Sequence, residues 1–386
     1  MLFGKPSSYL GVDLGAGGVK IVELKREKKR PVLFTYGFTS EEQDVHTFLV
    51  SAPTIHEEQR NFSTAPLKIA APMQRAPILE DAEGNKVEKY ATIIRTVCKE
   101  AQTVSTTAVV SLPVSAIFHA IVTLPVLKKD EFDRVLRAEI KKLLPYALED
   151  TVLDYQTLPG TPGNKDQRVL VNAVPRSLVV FYTKIFQRAG LKLDSLEPES
   201  IALARSLVGR DTAVTMLVDI GAERTNFFII DHTIPITHHS IEMGGKNMNK
   251  ILAERLGVGE PYIEQIKHDI FGKLFSSEGQ LILPREKFIN LAMSIIDPIV
   301  KEIEYGFEVY LRQSGNEHKR PEKVILTGGG AHFPYLVEYI AEKFKLKCYV
   351  ADPWGRAVYQ DKLKSVLRVI GPRMSVAIGL ALRYMI

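Results

Sequence analysis

Two pentapeptides, Val12-Asp-Leu-Gly-Ala16 and Val218-Asp-Ile-Gly-Ala222, differ by a single Leu/Ile exchange and lie in opposite halves of the chain. Each ends an apolar strand with an aspartate and a glycine, then turns into a second strand. One such turn is a common β-turn. Two of them, facing each other, can present backbone N–H groups to a polyphosphate from both sides. Gly15, Gly17 and Gly18, with Ala16, form the first turn, and Gly221 with Ala222 the second. Glycine lets the backbone approach an anion where a Cβ would collide with it. Asp13 and Asp219 suit a hydrated Mg2+, which keeps several waters and needs only one or two carboxylates. Lys20 lies just past the first turn, where a β-phosphate would rest. A third Gly-rich turn, Gly328-Gly329-Gly330-Ala331, leads from a strand into a helix and can accommodate the rest of a nucleotide. The Walker A pattern and a strand-to-helix Gly-x-Gly-x-x-Gly are both absent, which disfavours P-loop and Rossmann chemistry.

These turns need elements to hold them. Residues 8–24 read as a β-hairpin, and Leu33–Phe38 as a third strand. Residues 40–86 have weak periodicity and read as an irregular surface insertion. Lys89–Ala101 reads as a helix. Strands Ala108–Leu112 and Phe118–Leu124 precede a helix over Lys128–Leu144, whose Phe132, Val135, Leu136, Ile140 and Leu143 follow the i, i+3, i+4 rule. Strands Val152–Leu158 and Val169–Val174 and a helix Arg176–Ala189 complete a βαββα unit. The second half repeats the plan: strands Ala213–Asp219, Thr225–Ile230 and Thr237–Ile241, then Gly244-Gly245 and a helix Asn247–Leu256. Helical patterns fill 259–313, strand Lys323–Leu326 enters the third glycine turn, and a nearly apolar helix runs from Pro372 to Tyr384. Repeats this far apart imply two similar lobes, not a solenoid.

Composition sets the class. Of 386 residues, 45% are apolar and 25% charged, as in ordinary globular proteins. The net charge of +5 is a small surplus, which Lys25, Arg26, Lys28, Lys29 and Arg30 alone match, a run open to contact with anionic lipid or an acidic partner. That run reads as a solvated turn. Cys98 and Cys348 have no metal spacing and do not suggest a disulfide. No signal peptide or span-length apolar run is evident, which predicts a cytoplasmic location. The paired His238-His239 lies in a strand, so its two rings alternate and do not share a metal.

The three turns resemble the phosphate 1, phosphate 2 and adenosine motifs of the actin/Hsp70/sugar-kinase superfamily. Met1-Leu-Phe-Gly-Lys-Pro, Gly11–Leu24, Glu139-Ile-Lys-Lys-Leu-Leu-Pro145, Val152–Gln156, Ala189–Lys192, Leu196-Glu-Pro198, Ile370-Gly-Pro and Val376–Arg383 together resemble the type IV pilus assembly PilM family, related to FtsA. The resemblance covers nearly the whole chain outside about 40–86. It implies an α/β, actin-like (ribonuclease H-like) two-lobed fold with an inserted 1C-type subdomain. The first lobe would span 1–112 and 196–211, the 1C insertion 113–195, and the second lobe 212–370 with a helical part over about 246–318. A C-terminal helix, 371–386, would return to the first lobe.

By the same resemblance the chain is an ATP-binding adaptor. It would hold ATP and Mg2+ between the lobes and grip the N-terminal cytoplasmic peptide of a PilN-type inner-membrane protein through 1C. PilO and the pilus motor would be linked indirectly. No nucleic acid is expected, the membrane is reached only by way of the partner, and self-association is left open. Asp13 and Asp219 match the metal-facing aspartates. Gly15, Ala16, Gly17, Gly18 and Lys20 match the first phosphate loop, Gly221 and Ala222 the second, and Gly328–Ala331 the adenosine turn. Gly244, Gly245 and Asn249 fall beside the adenosine. Glu197, before Pro198, matches the residue that orients the attacking water. Ala16 replaces a frequent hydroxyl and Ala222 an aspartate of actin, which weakens fast hydrolysis more than binding.

Three alternatives compete with this reading. An FtsA-like cell-division filament protein would be expected to end in a linker and a basic amphipathic membrane helix, where this sequence ends in an apolar one. A type II secretion counterpart shares the same features. An actin-fold small-molecule kinase needs a base aimed at a substrate hydroxyl, for which no separate aspartate stands out.

Overall fold

The computed structural model describes residues 8–39, 80–158, 166–267, 285–313, 316 and 319–385. Within them, two five-stranded mixed sheets share one topology. The first has the order β3-β2-β1-β4-β8, from β1 (Ser8–Gly15), β2 (Gly18–Glu27), β3 (Arg30–Phe38), β4 (Thr107–Leu112) and β8 (Lys192–Pro198). The second has the order β11-β10-β9-β12-β13, from β9 (Thr215–Ile220), β10 (Thr225–Asp231), β11 (Ile234–Ile241), β12 (Lys323–Thr327) and β13 (Lys347–Val350). In each, an antiparallel three-stranded meander continues into two parallel strands. The pentapeptide repeat is therefore the local trace of a repeated lobe. β1 is buried along nearly its whole length, as a strand covered on both faces must be.

Helices supply that cover. α1 (Glu80–Glu100) and α3 (Arg176–Arg188) pack on one face of the first sheet, where Tyr90, Ile94, Tyr182 and Phe186 meet Val12, Leu14 and Ile21. The other face receives the C-terminal helix, whose Met374, Ala377, Ile378 and Ala381 join Val22, Leu24 and Trp354. On the second sheet pack α5 (Gly245–Leu256), α6 (Arg285–Leu311) and α7 (Leu336–Phe344). A separate cluster joins the lobes: Val109, Leu203, Leu217, Phe228, Ile325, Val376 and Leu380 are buried together.

A third, three-stranded antiparallel sheet has the order β5-β7-β6, from β5 (Phe118–Pro125), β6 (Thr151–Thr157) and β7 (Asp166–Pro175). α2 (Lys129–Leu143) covers one face, burying Leu136 and Ile140 against Val122, Leu124, Val169 and Val171. The other face meets the second lobe, where Leu158 and Leu170 join its core. The βαββα unit read from sequence is thus divided in space. Its last helix, α3, belongs to the core of the first lobe, because Leu178, Phe181, Tyr182, Ile185 and Phe186 all pack there.

Two boundaries and two edge strands differ from expectation. Residues 80–86, read as part of an irregular insertion, open helix α1, and residues 40–79 lie outside the described residues. The C-terminal helix, α8 (Lys364–Ala381), begins before Pro372 and carries that proline inside it. Proline usually breaks a helix by removing an N–H. Groups outside the helix hold it on both sides of the proline, without replacing the bond lost to Arg368 O: Trp354 Nε1 donates to Leu367 O at 2.8 Å, and Gly328 N donates to Pro372 O at 3.0 Å. Strands β8 and β13, each at a sheet edge, were missed, β8 because its sequence mixes polar and apolar residues and β13 because it has only four residues.

Candidate nucleotide site between the lobes

The two repeated turns face each other. A Cβ added to Gly17 would stand 3.0 Å from the Ala222 Cβ, so the first turn meets the second nearly in van der Waals contact. Between and beside them lies a cavity of about 250 Å³. Its walls include Asp13, Gly15, Ala16, Gly17 and Lys20 from the first lobe. The second lobe contributes Asp219, Gly221, Ala222, Gly245, Asn249 and Gly328–Gly330. Most of the expected site residues are therefore brought together. Gly18, Gly244 and Ala331 stand behind the wall and shape its turns; Gly244 N, for example, donates to Asn247 Oδ1 at 3.2 Å and starts α5.

The aspartates are held differently. Asp13 and Lys20 are cross-strand partners on β1 and β2, with Nζ 3.2 Å from Oδ2. Ser111 on β4 donates to the other oxygen at 2.8 Å. Asp219 pairs across β9 and β10 with Asn226, a neutral residue. Burial first, and then the Asp13 charge, push the Asp219 carboxyl up to about 6, against the opposing pull of Lys20 and the Asn226 hydrogen bond. The third glycine turn packs directly on this aspartate. Gly328 has φ +83°, and a Cβ there would lie 2.5 Å from Asp219 Oδ1. Only glycine serves at that position.

Glu197 is not in the cavity. It is 2% exposed and gripped by Arg205, whose two terminal nitrogens donate to its oxygens at 2.8 and 3.0 Å, and by Arg383. Arg205 also donates to Gly379 O, so this cluster anchors α8 to β8. Glu199 lines the cavity instead. Burial, then the charges of Asp13 and Asp219, raise its carboxyl well above the usual range. The strand ends at Pro198 and α4 (Glu199–Leu203) begins, which turns Glu199 out of the strand's alternation. Sequence reasoning also missed Lys246, Glu264, Lys267 and Arg373, which line the cavity too. Lys267 Nζ is 2.8 Å from Glu264 Oε1, and the same oxygen accepts from Asn249 Nδ2 at 2.8 Å. No local spacing announces these residues; they converge only through packing.

Oxygen donors in this arrangement fit a hard cation. Asp13 and Asp219 are the candidate holders, and among the described residues no group of three carboxylate, histidine or cysteine side chains could hold a metal ion. Neither His238 nor His239 contributes. His238 meets the ring of His119 at 4.9 Å, and His239 stacks on Phe227 at 4.7 Å.

The family model for type IV pilus assembly protein PilM matches residues 43–385, nearly nine-tenths of the chain. The chain belongs to the PilM family. A solved PilM-PilN type IV pilus biogenesis complex is similar over 97% of this chain and 98% of its own, with a TM-score of 0.70 at 20% identity. At that identity the likeness supports the fold, and the PilM fold is the actin-like one with two repeated lobes. The cell division protein FtsA of Pseudomonas aeruginosa is 26% identical over 210 residues, covering 51% of this chain and 49% of its own. That of Enterococcus faecalis is 24% identical over 231 residues, covering 52% and 50%. The chain spans about half the length of these curated relatives. Among the described residues, no helix of this PilM-family chain is long and apolar enough to cross a membrane.

Proposed function

We propose that this type IV pilus assembly protein is an ATP-dependent adaptor that holds Mg-ATP between its lobes. It would bind the cytoplasmic N-terminal peptide of a PilN-type membrane protein. The observation that carries the nucleotide half is the meeting of two Asp-Gly hairpins from opposite lobes across one cavity. Backbone N–H groups of both turns would cradle the phosphates, with Lys20 as the mobile cation. Asp13 and Asp219 would hold a magnesium ion, which neutralises phosphate charge when bound. Deprotonation of Asp219 is then favoured by the ion, which offsets its crowding with Asp13. Glu199, not Glu197, faces the cavity, so any water activation would rest on Glu199.

Support for the peptide half is the similarity to the solved PilM-PilN complex. The three-stranded sheet touches the second lobe through Leu158 and Leu170 and the first through Val174 of β7, so its seating can respond to lobe closure. A nucleotide that favours the closed lobes would then alter peptide affinity by its differential binding. Links to PilO and the motor would follow from that partner.

The test is titration of a labelled peptide from the N-terminus of the organism's own PilN-type protein, with and without Mg-ATP. Saturable binding whose affinity shifts with Mg-ATP supports the adaptor. Absence of binding in both states would remove the peptide half of the proposal.

A further inference from the structure

We propose that the tip of the β2–β3 hairpin is a docking surface for an anionic lipid bilayer. The proposal goes beyond the adaptor reading, which reaches the membrane only through a partner, and does not rest on it. Lys25, Arg26, Lys28, Lys29 and Arg30 crowd into this tip, and Glu27, opposite Arg30 in the register, is the one carboxylate among them. The sequence alone reads the run as a solvated turn. In the fold every residue from Arg26 to Arg30 is exposed, and Lys25 is half-buried. Arg26 is engaged with Tyr384 O. Among the described residues, no ion pair or side-chain hydrogen bond engages Lys28, Lys29 or Arg30.

Lys28 and Lys29 are the two loop residues of the hairpin, with φ +45° and +66°. Positive φ at both positions marks a type I′ turn, where asparagine and glycine are favoured. Lysines there keep two cations at the outermost point at a conformational cost. Apolar surface adjoins them. Lys25 Nζ lies 3.2 Å from the centre of the Phe34 ring, which is 41% exposed. Glu23 shares a face of β2 with Lys25. It is fully buried and accepts from Val104 N at 2.9 Å, so the exposed Val104 side chain stands beside that face.

The shape favours a flat anionic layer over an acidic chain. Peptides add to free sheet edges or lie in grooves. Here the β3 edge is taken: Val358 N donates to Pro31 O and Leu33 N to Val358 O, each at 2.8 Å. What is left is a projecting tip whose cations flank Phe34 and Val104. Basic side chains beside apolar ones suit the boundary between headgroups and acyl chains, and each cation near an anionic leaflet adds to the attraction. The tip also leaves the cleft free. β2 runs from Gly18, at the first phosphate turn, to Glu27, about 30 Å at the usual rise of a strand. The lipid surface and the cavity therefore lie at opposite ends of one strand.

The experiment is co-sedimentation of the full chain with vesicles of phosphatidylcholine, alone or mixed with phosphatidylglycerol, at low and raised salt. Wild type is compared with Arg30→Gln, Phe34→Ser and the double variant Lys28→Asn with Lys29→Gly. The double variant removes two cations and supplies the residues that the turn favours, so its melting temperature should equal or exceed that of wild type. Wild type is expected to bind the anionic vesicles, to spare the neutral ones and to be released by salt. At about fivefold per cation, Arg30→Gln should weaken partition about fivefold and the double variant on the order of 25-fold. Phe34→Ser should weaken it as well, through lost apolar burial. No binding of wild type to anionic vesicles overturns the proposal, as does undiminished binding by the double variant. Binding of soluble polyglutamate without binding to vesicles marks an acidic protein partner and overturns it too.

Discussion

Lys20 and Asn226 occupy the same place in the two repeated hairpins, Lys20 opposite Asp13 and Asn226 opposite Asp219. The lobes therefore share a backbone plan but not a charge plan. One aspartate has a cation 3.2 Å away; the other has an amide and is pushed up to about 6. A single lysine thus serves two carboxylates and, in the proposed complex, the phosphates as well.

Lys20→Met should therefore weaken Mg-ATP binding by at least about tenfold, since a charge-assisted contact is lost. It should also leave Asp13, which is 5% exposed, without its cation, although the Ser111 bond remains. A stability loss of roughly 2–4 kcal/mol is expected in urea denaturation. Unaltered nucleotide affinity would contradict the role given to Lys20.

The two glutamates flanking Pro198 should behave in opposite ways. Glu197→Gln breaks a buried cluster with Arg205 and Arg383, so a loss of about 3 kcal/mol is expected with little change in nucleotide affinity. Glu199→Gln removes a carboxylate crowded by Asp13 and Asp219, so melting temperature at pH 7.5 should rise. Any ATP turnover should fall in Glu199→Gln. Reversed effects would restore Glu197 to the site.

Acid sensitivity should trace in part to His238. Burial, then the neighbouring His119 and His239, lower its pKa to about 3. A histidine with a depressed pKa contributes stability that is full above its unfolded value near 6.5 and is lost as pH falls from there toward about 3. Asp219 acts in the opposite sense: its raised pKa gives stability below the unfolded value near 3.8 that is lost as pH rises through about 6. Comparison of wild type with His238→Gln separates the two. Wild type should lose about 1 kcal/mol more than the variant between pH 6.5 and 5.5. Parallel stability curves would show that the His119–His238 contact tolerates a proton.

Trp354→Phe should test how α8 is anchored ahead of its internal proline. The indole N–H binds Leu367 O, and the ring is 1% exposed. Loss of that bond should cost about 1–2 kcal/mol by thermal unfolding. No change would mean that the carbonyl finds another partner.

Legibility in the sequence followed the range of each interaction. The hairpins of both lobes were plain because Val12–Ala16 and Val218–Ala222 repeat in composition, and α2 because its apolar stripe keeps helical period. The glycine turns were legible because their spacing is local. Glu199 was not, since the change from strand to helix at Pro198 decides which glutamate faces the cavity. Lys246, Lys267 and Arg373 were hidden for a related reason: they come from separate elements and reach one cavity only in the folded chain. Pro372 misled as a helix start, because the bonds that hold α8 on both sides of it, from Trp354 and Thr327, come from outside the helix.

The central claim is that hairpins from both lobes share one Mg-nucleotide. It is tested most directly by titrating Mg-ATP into wild type, Asp13→Asn, Asp219→Asn and the double variant. If both aspartates serve one ion, each single change should weaken binding strongly, and the double change should be little worse than either. Wild-type affinity in both single variants, or a fully additive double, would show that the two turns do not act on a common ligand.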